Sequence, residues 1–179
     1  IDPARFGDDR SVIFCRQGLQ AFAPLVFRRL DNMTLADRAA RQINIFRPDG
    51  VFVDAGCGGG VIDRLRQLGF CVTEVPFGGA SLYPEQYANK RAEMWGEMRD
   101  WLKAGGALPP LPELKADLCQ VCYDYDAAGR MRLEPKEKLK ERCGQSPDLA
   151  DALALTFAAP VRPRNSGTKE FAGCEYDVI

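Results

Sequence analysis

A chain of 179 residues, 46% hydrophobic and 27% charged, is long enough for one domain with a real core and too short for two comfortable ones. No apolar run approaches the length of a membrane span, and no basic segment followed by an apolar stretch opens the chain, so neither a membrane anchor nor a signal peptide is expected. With 24 basic against 25 acidic residues and a net charge of −1, the composition argues against gripping nucleic acid by bulk electrostatics, but not against a locally basic enzyme with a metal-neutralised acidic site.

The abrupt start at Ile1-Asp2, inside an expected strand, suggests a piece of a longer polypeptide. The seven cysteines form no framework, and Cys15 and Cys71 sit in apolar runs as small hydrophobes, which points to a reducing compartment. Cys119 and Cys122 make a lone C-x-x-C in a chain without histidine, so a structural zinc site is not expected.

Ile1-Asp2 and the β-rich runs 11–17 and 21–28, the latter two split by Gly18-Leu19-Gln20, predict three consecutive strands with a hairpin. Apolar residues at helical spacing predict a helix over 34–46, with Asn32 or Thr34 as cap. Val51-Phe52-Val53-Asp54 is a short buried strand, followed by a glycine cluster and a helix over 60–68 that Gly69 stops. A strand at 71–76 and a long helix over 84–104 come next, then a proline-marked loop at Pro109, Pro110 and Pro112. Residues 122–126 and 131–134 flank a turn as a second hairpin. A charged helix at 136–142 and a last helix opened by Ser146-Pro147 and running to about 158 complete the order. Residues 1–160 form the expected domain, and 161–179 a flexible tail. Three strands before the first helix suit a ribonuclease-H-like mixed sheet flanked by helices better than a doubly wound one.

Three aspartates each begin or end a core element: Asp2 on the first strand, Asp54 at the end of the buried strand, Asp148 just inside the last helix. Each has an ordinary alternative, since aspartate satisfies loop amides, and an acid in the first turn of a helix favours its dipole. Together they say more. The first and fourth strands of such a sheet are neighbours, so Asp2 and Asp54 would project at one edge, with Asp148 brought in by the last helix. Converging carboxylates repel and raise one another's pKa values, and a pair of hard divalent ions with oxygen ligands relieves this.

The runs Asp2-Pro3-Ala4-Arg5-Phe6-Gly7-Asp8-Asp9, Val53-Asp54-Ala55-Gly56 and Ser146-Pro147-Asp148-Leu149-Ala150-Asp151-Ala152-Leu153 resemble, in order and spacing, the C-terminal nuclease domain of phage terminase large subunits. The stretch Asn89-Lys90-Arg91-Ala92-Glu93-Met94-Trp95 resembles the helix before that family's last hairpin. The resemblance implies a two-metal endodeoxyribonuclease, using Mg2+ or Mn2+, that cuts double-stranded concatemeric DNA during packaging in the host cytoplasm. It places an acidic triad on Asp2, Asp54 and Asp148, with Asp151 as a further candidate ligand. It also implies a packaging ATPase domain before residue 1, with the portal and the small terminase subunit as partners. No Walker-type phosphate loop occurs in this chain. Arg5, Arg10, Lys90 and Arg91 are candidate contacts to DNA phosphates.

Helical geometry favours Asp148 over Asp151 as third ligand. Leu149, Ala152, Leu153, Thr156 and Phe157 define an apolar face, from whose centre Asp148 lies roughly 110° and Asp151 roughly 170°, so Asp151 is expected to face solvent. Two rival readings remain. Asp54-Ala55-Gly56-Cys57-Gly58-Gly59-Gly60 with Glu74 imitates the loop and ribose-binding acid of S-adenosylmethionine-dependent methyltransferases. The other rival is a non-catalytic module that docks DNA or the portal.

Overall fold

A computed structural model describes residues 1–4 and 10–163, so Arg5, the glycine turn around it and the tail from residue 164 lie outside the described residues. Strands β1 (Arg10–Ile13) and β4 (Leu25–Arg28) pair antiparallel, with Val12 opposite Val26 and Arg10 opposite Arg28. Between them, β2 (Arg16–Gln17) and β3 (Gln20–Ala21) form a short antiparallel pair around Gly18, whose φ of 54° favours glycine. Asp2 exchanges two 2.9 Å backbone bonds with Val12. On its other side, the Ile1 nitrogen donates to Phe52 at 2.7 Å and its carbonyl accepts from Asp54 at 3.1 Å. Strand β5 (Phe52–Asp54) then pairs parallel with β6 (Thr73–Val75).

The spatial order is therefore β4, β1, Ile1–Asp2, β5, β6: an antiparallel pair joined through the first residues to a parallel one. This is the mixed sheet expected from the sequence. Side-chain alternation sends Ile13 and Val53 to one face, where α1 (Asn32–Phe46) and α2 (Ala55–Gln67) bury Leu35, Ala39, Val61 and Leu65. The other face packs Val12 and Val75 against α3 (Lys90–Lys103), α4 (Pro112–Gln120) and α6 (Asp148–Leu155), through Met94, Met98, Leu114 and Leu153. The hairpin β7 (Tyr123–Tyr125) and β8 (Met131–Leu133) and the short α5 (Lys136–Cys143) lie between α4 and α6 in the chain.

Several boundaries differ from expectation for local reasons. Asp31 caps α1, accepting from the Met33 and Thr34 amides, in place of Asn32 or Thr34. Asn89 accepts from Ala92, so α3 starts at Lys90 and not at residue 84. Helix α4 follows the prolines directly: Pro112 opens it, using a position where the missing N–H costs nothing. Helix α2 begins immediately after Asp54 and takes the glycine cluster into its first turns. A Cβ on Gly58 would lie 2.9 Å from Val53 Cγ1 and 3.3 Å from Pro3 Cγ, so glycine there lets the helix approach the strands.

Candidate active site

Asp2 and Asp54 project from neighbouring strands onto the same face. Asp2 lies opposite Val12, which packs toward α6, and Asp54 follows Val53, which packs toward α1 and α2. Both carboxylates are buried. Burial, with Asp151, Asp54 and Asp148 adding their charges, pushes the Asp2 carboxyl up to about 8, although Lys136 pulls it down. Burial raises Asp54 as well, against the Gly56 amide, which its Oδ1 accepts at 3.2 Å, and against Lys136. Asp2 thus feels three other acids, and Asp54 feels Asp151.

The last helix brings in Asp151, which is 0% exposed. Its Oδ1 accepts from Arg91 Nε at 3.0 Å and Trp95 Nε1 at 2.8 Å, and its Oδ2 from Arg91 Nη2 at 3.3 Å. Lys136 Nζ stands 2.9 Å from the same Oδ2. Burial opposes ionisation of Asp151, but Arg91 and Lys136 outweigh it and hold the carboxyl below its ordinary value. The Lys136 side chain is 38% exposed, and the neighbouring acids keep its ammonium charged against the cost of burial. Among the described residues, no three acidic or cysteine side chains are drawn together tightly enough to hold an ion as they stand. Lys136 supplies positive charge to the cluster.

Asp148 has a different setting. Its Oδ2 accepts from the Arg10 backbone nitrogen at 2.9 Å and from Arg10 Nε at 3.3 Å. Arg10 also reaches Glu113 at 3.1 Å and the fully buried Asp117 at 3.2 Å, and Asp117 in turn accepts from the Leu149 amide at 3.0 Å. Pro147 at the N-cap has no polar side chain to cap α6, and Asp117 reaches the start of that helix from α4.

The expectation that Asp151 faces solvent is therefore wrong. All eight residues of α6 are buried, so this helix has no solvent side from which a single apolar face could be measured. Among the carboxylates acting on Asp2, Asp151 comes before Asp148. Three of the four basic residues taken as phosphate contacts are also placed elsewhere. Arg10 is 6% exposed within the Asp148–Asp117 network, Arg91 is held by Asp151, and Lys90 is buried against Glu93 at 2.5 Å. Buried carboxylates recruit these cations, because an unpaired buried charge is costly. Arg5 lies outside the described residues.

Sequence reading passed over Lys136 and Asp117. Lys136 had a visible signal, as the first residue of a helix directly after the last hairpin, whereas nothing local marks Asp117. The glycine cluster lies inside α2, with Asp54 bonded to that helix's own first turn and Glu74 exposed.

No protein-family model matches the chain, and a search of curated proteins gives no match. Solved structures do match. The nuclease domain of the large terminase subunit gp2 of bacterial virus Sf6 is 21% identical with a TM-score of 0.73, over 89% of this chain and 86% of that one. A mutant of the same domain, solved with manganese and beta-thujaplicinol, matches equally well. The large terminase nuclease from thermophilic phage G20c is 16% identical with a TM-score of 0.67, over 88% of this chain and 78% of that one. The chain has the ribonuclease-H-like fold of these terminase nuclease domains.

Proposed function

We propose that this chain is a metal-dependent endonuclease that cuts double-stranded DNA, in the class of phage packaging nucleases. The observation that carries the reading is the pairing of Asp2 and Asp54 at one end of adjacent strands, on the face covered by α6, with Asp151 beside them. The likeness to terminase nuclease domains, among them one solved with manganese and one with calcium, supports it.

The residues fit divalent cations. The donors are carboxylate oxygens, which hard ions prefer. Asp2 is buried with its pKa pushed up to about 8, the mark of an acid short of positive charge. Bound Mg2+ or Mn2+, as a pair, would supply Lewis-acid stabilisation and an activated water for phosphodiester hydrolysis. Asp2, Asp54 and Asp151 would hold the ions, Asp2 being the acid on which Asp151, Asp54 and Asp148 all act. Lys136 lowers the pKa values of Asp2 and Asp54 against the effect of burial and contacts Asp151 from a partly exposed position. Arg91 and Trp95 fix the Asp151 carboxylate, and Asp148 with Arg10 and Asp117 fixes the start of α6. The same reading assigns the packaging ATPase domain, the portal and the small terminase subunit as partners, in the host cytoplasm. Incubating the protein with supercoiled plasmid tests it. Nicking and linearisation are expected with manganese or magnesium, and cutting that persists in excess EDTA would overturn the metal-dependent reading.

A further inference from the structure

With a net charge of −1, a chain that cuts DNA needs cations placed locally and within reach of solvent, and Arg10, Lys90 and Arg91 are buried. The sheet offers another place. Strand β4 is paired only with β1 among the described strands, and it carries Arg28 at the end of the register, opposite Arg10. Directly opposed residues share a face, so Arg28 stands on the face that carries Asp2 and Asp54. The helix layer stops short of this strand. Val26, opposite the fully buried Val12, is 42% exposed, and Arg28 and Arg29 are both exposed. An open ledge thus runs along β4 toward the same sheet end as the acids. From Asp2 it is two strand spacings across, about 10 Å, and two residues along, about 7 Å, which sets the Arg28 backbone about 12 Å away. That is a few nucleotides along a DNA backbone whose scissile phosphate sits at the acids.

Arg29 adds a second observation. Its φ is 56°, the left-handed region that suits glycine and costs an ordinary side chain of order 1 kcal/mol or more. Arg29 is exposed and stands beside Arg28 at the end of β4.

We propose that the β4 ledge, through Arg28 and Arg29, is a docking surface for the sugar-phosphate backbone of the DNA being cut. The inference rests on the nuclease reading and adds the surface that positions the substrate. Contact is to phosphates, so it carries no sequence preference and weakens with salt.

The test is binding of a short blunt DNA duplex, followed by fluorescence anisotropy in calcium across a salt series, with melting temperatures measured in parallel. The variants are Arg28→Gln, Arg29→Gly and the pair, with Arg66→Ala, in the last turn of α2, as control. The double variant should bind about tenfold more weakly at physiological salt, and the slope of log K against log salt should fall by about 0.9 for each arginine removed. Arg29→Gly should keep or raise the melting temperature while weakening binding, because glycine relieves the backbone and removes the guanidinium. In plasmid cutting the double variant should raise KM and leave kcat near that of the unmodified protein. Unchanged affinity and slope in the double variant, beside a parent that binds and cuts DNA, would overturn the ledge alone. A parent that neither binds nor cuts DNA would overturn the nuclease reading and the ledge with it.

Discussion

The ammonium of Lys136 lies 2.9 Å from Oδ2 of Asp151, and its charge also lowers the pKa values of Asp2 and Asp54. One partly exposed lysine therefore serves three buried acids that come from two strands and a helix. A metal ion entering the cluster competes with it for the same charge. Lys136→Ala is expected to lower the melting temperature without metal and to gain more from added manganese than the parent protein does. Equal gains in the two proteins, read by thermal melts over a manganese series, would show that Lys136 does not stand in for a cation.

Asp2→Asn and Asp54→Asn should abolish plasmid cutting while leaving the metal-free fold intact or slightly more stable. Each change replaces a buried acid, whose ionisation burial disfavours, with a neutral amide of the same shape. Strong destabilisation of both variants in metal-free buffer would make these residues structural, and circular dichroism melts beside the cutting assay distinguish the outcomes.

Asp148 and Asp151 should separate in the reverse of the order that helical spacing suggested. Asp148→Asn keeps an oxygen for the Arg10 N–H groups and should retain the larger share of cutting. Asp151→Asn leaves Arg91 buried beside a neutral partner and should cost about 3 to 5 kcal/mol of stability together with most activity. Initial rates measured well below both melting temperatures give the ranking, and a more active Asp151→Asn protein would remove Asp151 from the site.

Metal-free stability should fall as pH rises. Asp2 has a folded pKa of about 8 against an ordinary 3.8, so between these values the folded state holds a proton that the unfolded chain has released. Stability is then lost with increasing pH across that window, and Asp117, raised to about 6, adds to the loss in its lower part. Asp151 has the opposite sign, its stabilisation being lost as pH falls through its depressed pKa. Chemical denaturation from pH 4 to pH 8 should show the downward slope, and Asp2→Asn should flatten it. A metal-free protein that gains stability over this range would contradict the burial assigned to Asp2.

The neighbouring placement of Asp2 and Asp54 was legible because three β-rich runs before the first helix set the first and fourth strands side by side. Helix α4 was hidden by Pro112, which reads as a breaker in a cluster of prolines yet opens the helix. The orientation of Asp151 was misjudged because a helical wheel assumes one buried side, whereas α6 is enclosed on every side. The fates of Arg10 and Arg91 depend on partners 138 and 60 residues away, a separation at which local pattern carries no information.

The most direct test of the acidic centre is anomalous diffraction from crystals of the protein soaked in manganese. Two peaks are expected among the carboxylates of Asp2, Asp54 and Asp151, with Lys136 displaced from Asp151 and with both peaks lost in Asp2→Asn. Manganese absent from these three carboxylates in a fully soaked crystal, or bound unchanged in Asp2→Asn, would contradict the assignment of this cluster as the catalytic metal site.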